Sequence, residues 1–454
     1  MIFSAIIFYW EKGDVLVIDI DFLVNSIEKE LINLRRKFHS HPETGWLELY
    51  TTAEIITYLK ELGYEVKYKE DILNTEYRQG LPNIEDFEKA YKRAVDWGTE
   101  PQILEEVKAG MTGAAAILDT NKEGPITAFR FDIDAIGSEE SNADSHRPVR
   151  ENFRSINPQA VHSCGHDGHI AIGLGLAKLL KELSAKDKLK GKIILIFQPA
   201  EEGVRGGKAV AESKLLNNVN YFLTGHIGMN ADDSNSIICG ITGSLYTKKF
   251  DINITGETSH AGGAPEKGKN ALLAANNLIS SLYSLNQHGK GMSRVNVGKM
   301  EAGTYRNLIP ANAYLQMEIR GENDEVISYL DNKVKNILKG IEKIYDVNLE
   351  LEVVGEAISM ESDNELINIV KEAAQDIEDI GNIIDKKSMQ GSEDASFLMD
   401  KVQKQGGKAC YINFGTELAA GHHQDNFDFD ESVLARAVKL YLYSLKELGN
   451  IKVL

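Results

Sequence analysis

The sequence predicts an α/β fold in which helices cover a mostly parallel sheet. Short β-branched runs alternate with amphipathic helical patterns, so strand, helix and strand follow one another along the chain. This order favours parallel strands because the helix returns the chain to the edge where the first strand began. The predicted helices and strands, in chain order, are helices 22–38 and 52–62, strand 126–131, helix 170–183, strands 192–197, 220–224 and 409–414, and helix 432–448.

A second unit is predicted inside the first, between residues 241 and 355. Its pattern reads strand 249–255, helix 270–285, strands 293–301 and 313–320, helix 324–345 and strand 348–354. This βαββαβ order is that of a ferredoxin-like α+β unit. Because strand 409–414 resumes the first pattern, we predict a discontinuous domain, 1–240 and 356–454, that surrounds an inserted domain, 241–355.

A polar segment, residues 70–110, interrupts the first domain. Helical spacing around Glu85–Trp97 is combined with a mixture of acidic and basic residues. Such a pattern is typical of a solvated surface element. We therefore expect a surface hairpin without a chemical role.

The first residues, Met1–Trp10, are the only stretch that resembles a targeting signal. The apolar run is short, has no basic leader, and is followed by Glu11 and Asp14, which disfavours a signal peptide or a membrane anchor. Alternatively, these residues are translated leader sequence, and the natural start lies near Leu16 or Val17.

Composition excludes several classes of partner. Of the 454 residues 43% are hydrophobic and 26% are charged, as in folded domains, and the net charge is -18. A negative net charge is repelled by nucleic acid and by an anionic membrane, so we expect neither as a partner. The three cysteines, Cys164, Cys239 and Cys410, are too few and too odd in number for a disulfide framework, which favours the cytoplasm.

Potential metal ligands gather just after predicted strands or at a helix entrance. They lie in segments 162–167, 198–203, 225–226 and 421–423, with Asp132–Asp134 behind them. The carboxyl ends of parallel strands meet at one edge of a sheet, so distant segments can converge on a single crevice. This shared position predicts a metal site more strongly than any single histidine does.

The sequence around Cys164 places a thiol and an imidazole two residues apart. The intervening glycine permits a tight turn, which can direct Cys164 and His166 to one point. Taken alone, the pair fits a buried structural cysteine equally well, but neighbouring His162, Asp167 and His169 favour a metal. Thiolate, imidazole and carboxylate ligands together suit zinc, manganese or cobalt rather than calcium.

Two adjacent carboxylates, Glu201 and Glu202, follow the apolar run 193–197. At the end of a buried strand they would repel one another and would be costly to desolvate unless a cation lay nearby. Metal-dependent hydrolysis requires two roles of such a pair: one carboxylate binds the metal, and its neighbour accepts a proton from water. The alternative is a pair of solvated glutamates in a turn.

Six motifs carry a family resemblance. They are Arg35–Glu43 (RRKFHSHPE), Arg130–Ala135 (RFDIDA), Cys164–Asp167 (CGHD), Phe197–Glu202 (FQPAEE), Ser259–Ala261 (SHA) and Gly391–Asp394 (GSED). Together they resemble the M20 metallopeptidase family, amidohydrolase branch, over nearly the whole chain. This implies a catalytic domain of the phosphorylase/hydrolase-like, zinc-exopeptidase type with an inserted ferredoxin-like lid and dimerisation domain.

Longer stretches narrow the resemblance to one part of that branch. Residues 162–175, the insert after Glu70, residues 293–298 (SRVNVG) and residues 414–429 (FGTELAAGHHQDNFDF) are similar to members that hydrolyse p-aminobenzoyl-glutamate. Those members are built from two related subunits. For this chain we therefore expect either a homodimer or a heterodimer with a related subunit.

The resemblance also implies a centre of two divalent metal ions, with manganese favoured and zinc or cobalt possible. The implied ligands are Cys164, His166, Glu202, His226 and His423. His423 is preferred to His422 because the family places its last ligand four residues before a phenylalanine, here Phe427. The chain departs from many relatives at Asp425, where they have proline.

Catalytic and substrate-binding roles are implied in the same way. Glu201 matches the general base, and His260 matches a histidine that reaches the partner subunit's site and stabilises the oxyanion. Asn307 and Arg320 match positions that grip the substrate carboxylate, for which a guanidinium fork is suited. Arg294 and Arg306 are weaker candidates for a second substrate carboxylate.

The implied reaction is hydrolysis of an N-acyl amino acid, with p-aminobenzoyl-glutamate as the most specific candidate substrate. The products would be p-aminobenzoate and glutamate. A general N-acyl or indole-acyl amino acid amidohydrolase is the first alternative, and a dipeptidase is disfavoured by the resemblance. The other alternative is one subunit of a hetero-oligomer that is inactive alone.

Overall fold

The computed structural model describes residues 19–229, 231, 233–389 and 391–452, so Met1–Trp10, Leu16 and Val17 lie outside the described residues. The strands are β1 (Glu65–Lys67), β2 (Ala114–Asp119), β3 (Ile126–Asp132), β4 (Lys192–Gln198), β5 (Tyr221–Ile227), β6 (Ser236–Ile238), β7 (Ile241–Thr242), β8 (Tyr246–Thr255), β9 (Ser293–Ala302), β10 (Asn312–Gly321), β11 (Asn348–Ala357), β12 (Asn382–Ile384), β13 (Lys387–Ser388) and β14 (Lys408–Phe414). The α-helices are α1 (Ile20–Asn25), α2 (Glu28–Ser40), α3 (Leu49–Glu61), α4 (Ile84–Asp96), α5 (Pro101–Val107), α6 (Arg147–Arg150), α7 (His166–Ala185), α8 (Gly207–Ala211), α9 (Ala271–Tyr283), α10 (Asp324–Tyr345), α11 (Asn364–Gln375), α12 (Ala395–Lys404) and α13 (Ser432–Glu447).

The first sheet has the strand order β1-β2-β4-β3-β5-β14-β6-β12. Its centre, β4-β3-β5-β14, is parallel, whereas β2 joins β4 and β6 joins β14 in antiparallel pairs. Separate apolar cores lie on its two faces, one including α7 and α13 and the other including α8 and α12. A strand buried on both faces reads as a continuous apolar run, as β4 does (KIILIFQ). The prediction of an α/β fold with a mostly parallel sheet is confirmed.

The second sheet is antiparallel and has the order β11-β8-β10-β9. Helices α9 and α10 pack on one face around Phe250, Leu278, Leu315 and Val334. The predicted βαββαβ order of a ferredoxin-like unit is confirmed. At the junction, β7 pairs with β13 and β11 continues to Ala357, so the boundaries at residues 241 and 355 stay a prediction.

Several of the predicted elements differ from the structure in their extent, and two of the differences have a local cause. The helix expected over residues 22–38 is two helices, because Ile27 has the non-helical angles φ -112° and ψ 3° and the Ser26 hydroxyl donates to the Leu23 carbonyl. The strand expected to end at Thr224 continues to Ile227, so His226 lies within β5 rather than after it. Pairing with β14 extends β5 through residues 225–227. The apolar pattern of the sequence does not reveal this extension, because the end of the strand is polar.

Two features concern the predictions made from composition: the state of the cysteines and the character of the helices. Cys164, Cys239 and Cys410 are buried free thiols, and the Cys410 thiol donates to the Cys239 carbonyl at 2.9 Å. In the ranges that the structure describes, none of the helices combines the length and the apolar character needed to cross a bilayer.

A candidate dinuclear metal centre with an adjacent base

The turn before α7 places the first two candidate ligands. Gly165 has a φ of +86°, a left-handed conformation that glycine adopts without steric cost, and it separates Cys164 from His166. His166 donates from Nδ1 to the Asp134 carbonyl at 2.8 Å. In the neutral ring this leaves the lone pair on Nε2, and this buried atom has no hydrogen-bond partner among the described residues.

His226 is oriented in the same manner from the end of β5. Its Nδ1 atom donates to the Ile227 carbonyl at 2.9 Å, which leaves the lone pair on Nε2. That Nε2 atom lies 3.4 Å from Cys164 Sγ. Both histidines thus present an acceptor nitrogen beside the thiol, as ligands of a metal must.

The turn after β4 presents the two glutamates. Asp134 accepts hydrogen bonds from the backbone amides of Glu201 and Glu202, each at 3.0 Å. Ala200, just before them, has a φ of +54°, which costs about 1–3 kcal/mol outside glycine and is maintained only where surrounding contacts fix the turn. Burial raises the pKa of Glu202 to about 7, and its Oε1 atom has no hydrogen-bond partner within the described ranges.

The two adjacent histidines of the 421–423 loop differ in their contacts. His422 makes a 3.0 Å hydrogen bond from Nε2 to the Ile227 carbonyl, and its ring packs on Phe427. His423 has a positive φ of 68°, and its amide donates to the Ser163 carbonyl at 2.8 Å. This backbone geometry directs His423 Nε2 to within 3.6 Å of Glu202 Oε1.

The five predicted ligands form two groups that share Cys164. One group is Cys164, His166 and His226, the other is Cys164, Glu202 and His423, and within each group the ligand atoms lie within 4.8 Å of one another. The unpaired His166 Nε2 and Glu202 Oε1 atoms fit this arrangement, because buried polar atoms otherwise find hydrogen-bond partners. Thiolate, imidazole and carboxylate donors fit a transition-metal ion or zinc, and each of the two groups would hold one such ion with Cys164 common to both.

Two neighbours that we expected to favour a metal already have partners in the protein. Asp167 pairs with Arg35 at 2.7 Å and with His39 at 2.8 Å. His169 accepts from the Ile227 amide through Nε2 at 3.0 Å and bonds Asp132 through Nδ1, so both ring nitrogens are used. Asp167 and His169 therefore fix the elements that carry the ligands.

His162 behaves differently from these two residues. It is buried, and its ring nitrogens have no hydrogen-bond partner in the part of the chain that the structure describes. Burial lowers the pKa of His162 to about 3, so the ring is neutral at physiological pH. It does not belong to either of the groups that share Cys164.

Glu201 faces a buried cluster of charges on the other side of the centre. Its carboxylate lies 4.0 Å from His166 Nε2 and groups with Glu393 and Asp394. Burial, followed by the charges of Glu393 and Glu202, raises the pKa of Glu201 well above its usual value. A carboxylate in such surroundings accepts a proton more readily than an exposed one does.

Arg130 compensates the carboxylates of this cluster. Its buried guanidinium donates to Asp132 at 2.7 Å and to Glu393 and Asp394 at 3.1 Å each. The sequence motifs contain these residues, but no role was predicted for them. A charged residue inside an otherwise apolar strand, as in β3 (ITAFRFD), is the signal that indicates a buried ion pair.

The predicted residues of the second domain make their own local contacts. His260 and Asn307 are neighbours, since His260 bridges to Leu308 and the Ala261 amide donates to the Asn307 carbonyl at 3.0 Å. Both side chains are exposed, and His260 Nδ1 accepts from the amides of Gly262 and Gly263. No hydrogen bond or ion pair links them to the ligand groups within the described residues.

Arg320, the other predicted carboxylate ligand, is held by an acidic neighbour. Its guanidinium makes a two-point contact with Glu318 of the same strand, at 2.9 and 3.1 Å. Arg294 lies opposite Arg320 on β9, and both Arg294 and Arg306 are exposed. These arginines therefore belong to the surface of the second domain.

Lys249 of β8 is a residue of the second domain that the sequence reasoning missed. It pairs in register with Glu318 of β10. Burial lowers the pKa of Lys249, and the charge of Glu201 opposes this effect. A cation of the second domain therefore lies within electrostatic range of Glu201. Strand alternation predicts that Lys249 lies on the face of the sheet opposite Phe250. It does not predict which residue Lys249 faces.

Comparisons with known proteins identify the family. A model of peptidase family M20/M25/M40 matches residues 128–447. The chain is 41% identical to indole-3-acetyl-aspartic acid hydrolase of Enterobacter agglomerans, over 92% of this chain and 95% of that protein. It is 40% identical to one of the subunits of p-aminobenzoyl-glutamate hydrolase from Escherichia coli K12, over the same shares of the two chains.

A solved structure agrees with these relatives. The aminobenzoyl-glutamate utilization protein from Klebsiella pneumoniae superposes with a TM-score of 0.82 and 34% identity, covering 95% of this chain and 98% of that one. The predicted M20 resemblance is confirmed. The chain therefore belongs to peptidase family M20/M25/M40 and is a metal-dependent hydrolase of amide bonds.

Proposed function

We propose that the protein hydrolyses N-acyl amino acids whose amino acid is dicarboxylic, with p-aminobenzoyl-glutamate as its substrate. The observation that carries this proposal is the pair of ligand groups sharing Cys164 with Glu201 beside them. The two relatives named for their substrates act on a glutamate and an aspartate conjugate. The name of the first relative also favours a second candidate, an indole-acyl amino acid hydrolase.

The five ligands would hold two divalent ions, with manganese favoured and zinc or cobalt also compatible with the donors. Such ions supply Lewis acidity toward the amide carbonyl and lower the pKa of water. The protein contributes orientation, because the Asp134 carbonyl fixes the His166 ring and the Ile227 carbonyl fixes the His226 ring.

Glu201 moves the proton in the proposed reaction. It accepts a proton from the attacking water and returns it to the leaving nitrogen, so the amide bond breaks without releasing an unprotonated amine anion. Asp134 positions this glutamate by accepting its backbone amide hydrogen. The buried cluster of Arg130, Glu393 and Asp394 excludes bulk water from the other side of the carboxylate.

His260, Asn307 and Arg320 complete the site from the second domain in this proposal. His260 stabilises the oxyanion of a partner subunit's site, while Asn307 and Arg320 bind the substrate α-carboxylate. The exposed positions of His260 and Asn307 leave them accessible to a second chain. Arg320 would exchange its contact with Glu318 for the substrate, and the partner is a second copy or a related subunit.

Hydrolysis of a substrate panel tests the proposed function. Chain stripped of metal and reconstituted with manganese should release p-aminobenzoate from p-aminobenzoyl-glutamate, and metal removal should abolish the activity. N-acetyl, N-benzoyl and indole-acetyl amino acids are the comparison substrates. Activity confined to the indole-acyl compounds would support the second candidate. Absence of activity with metal bound, even in the presence of a related subunit, would contradict both.

Mixing two inactive variants tests the proposed role of His260 in trans. His260→Ala and Glu201→Gln are each expected to have little activity, whereas a mixture refolded together should recover about one quarter of the wild-type activity. The fraction follows because half of randomly formed dimers are mixed and each mixed dimer holds one intact site. A mixture that stays inactive although mixed dimers are present contradicts action from a partner copy.

A further inference from the structure

A cavity of about 570 Å³ opens beside the proposed metal centre. Glu202 lines it, so a ligand in the cavity lies next to one of the two ligand groups. The opposite wall comes from the polar insert, through Gly80, Lys89 and Arg93. The insert, which was expected to have no chemical role, thus contributes residues to this cavity.

The cavity wall is rich in cationic donors. Lys89, Arg93 and Arg205 line it, against the carboxylates of Asp86 and Glu202. Glu202 belongs to the proposed metal site and Lys89 pairs with Glu85 at 2.7 Å, which leaves Arg93 and Arg205 as the cations of the wall. This charge is complementary to an anionic group of a ligand.

Arg93 is the most specific feature of this wall. Its side chain is 20% exposed, and its Nε atom is buried without a hydrogen-bond partner among the described residues. The nearest carboxylate, Glu43, lies 3.7 Å from the guanidinium, which is longer than a hydrogen bond. Burial raises the pKa of Glu43 to about 7, so at neutral pH this carboxylate compensates Arg93 only in part. An available guanidinium fork matches the two oxygens of a carboxylate.

The wall is fixed in place by contacts with the strand that returns from the second domain. Gln79 accepts at its carbonyl from Trp46 Nε1 at 2.8 Å and donates from its side chain to Glu356 at 2.9 Å. Arg205 donates to the carbonyls of Glu202 and Gly80, at 2.8 and 3.2 Å. Arg205 and the backbone at Gly80 therefore sit on a supported wall, which favours selective binding.

We propose that this cavity binds the side-chain carboxylate of an N-acyl-glutamate or N-acyl-aspartate, with Arg93 as the principal contact. The proposal rests on the proposed function and adds the origin of its preference for dicarboxylic amino acids. In this arrangement the two substrate carboxylates are held separately: the α-carboxylate by the second domain, and the side-chain carboxylate by the insert.

The test compares p-aminobenzoyl-glutamate with p-aminobenzoyl-glutamine, which has the same acyl group and a neutral side chain. Arg93→Gln should lower the preference for the glutamate compound, measured as the ratio of kcat/KM values, by about 10- to 100-fold. The change should appear in KM, since the contact is to a part of the substrate that does not react and is made equally in the ground state and the transition state. Lys92→Gln removes an exposed cation from the same helix and should leave the ratio unchanged.

Three outcomes would overturn the proposal. An equal loss on both substrates would assign Arg93 a structural role, and unchanged kcat/KM values on both would exclude the contact. A shift in preference between p-aminobenzoyl and acetyl compounds, the same for glutamate and glutamine, would make the cavity an acyl-group site. Arg93→Lys keeps the charge and should retain part of the preference for the glutamate compound. This second variant keeps the test valid if Arg93→Gln fails to fold.

Calorimetry separates this proposal from the proposed function. If the manganese-loaded wild type hydrolyses no N-acyl amino acid, the proposed function fails, and binding of p-aminobenzoyl-glutamate is then compared between wild type and Arg93→Gln. Weaker binding to the variant, with p-aminobenzoyl-glutamine unaffected, supports the carboxylate site. Equal binding to both proteins contradicts it.

Discussion

Replacing Glu201 with glutamine is expected to lower kcat by about 10²- to 10⁴-fold while the metal content stays unchanged. Glutamine keeps the size of the side chain but cannot accept a proton at neutral pH. Glu201 is absent from both groups that share Cys164, so its amide variant leaves the proposed ligands intact. Turnover is measured with p-aminobenzoyl-glutamate, and the bound metal by mass spectrometry of the purified protein.

Glu212→Gln is the matched control for this substitution, because Glu212 is an exposed glutamate away from the centre. Its turnover and metal content should equal those of the wild type. Near-normal turnover of Glu201→Gln would reject Glu201 as the base. A marked loss of bound metal from that variant would instead assign the side chain as a ligand.

Replacing Cys164 with serine is expected to reduce binding at both metal positions. Cys164 is the residue common to the two groups, and its thiol lies 3.4 Å from His226 Nε2. A serine hydroxyl is a weaker ligand than a thiolate because it does not ionise readily near neutral pH. Metal content per chain, measured after equilibration with limiting manganese, should fall, and turnover should fall with it.

Cys410→Ser tests whether loss of a buried thiol alone has this effect. Cys410 donates to the Cys239 carbonyl at 2.9 Å, and a serine hydroxyl can make the same hydrogen bond. This control should retain the wild-type metal content. If Cys164→Ser also retains it, Cys164 has a structural role and the shared-ligand arrangement is wrong.

The sequence by itself determined the layout of the two sheets and the motifs of the centre. A strand that is buried on both faces is largely apolar, and β4 is a continuous run of this kind (KIILIFQ). The second unit could be separated because its strands alternate between an apolar core face and a polar face, as Phe250 and Lys249 do. The left-handed turn at Gly165 was also predictable, because glycine tolerates positive φ.

Only the tertiary structure decided the distances between the polar residues of the site and the partners that each of them has. Cys164 and His226 are distant in sequence, and the pairing of β5 with β14 and the turn before α7 bring their side chains to one edge of the sheet. Local patterns also cannot show that Asp167 turns to Arg35, since that ion pair joins two helices.

The insert provides the clearest example of this limit. Its mixed charges are typical of a solvated surface, and the sequence does not reveal that Arg93 faces a cavity lined by Glu202. The physical reason is that solvent exposure is a property of the packed chain: contacts such as that between Gln79 and Glu356 determine which face of the insert meets water.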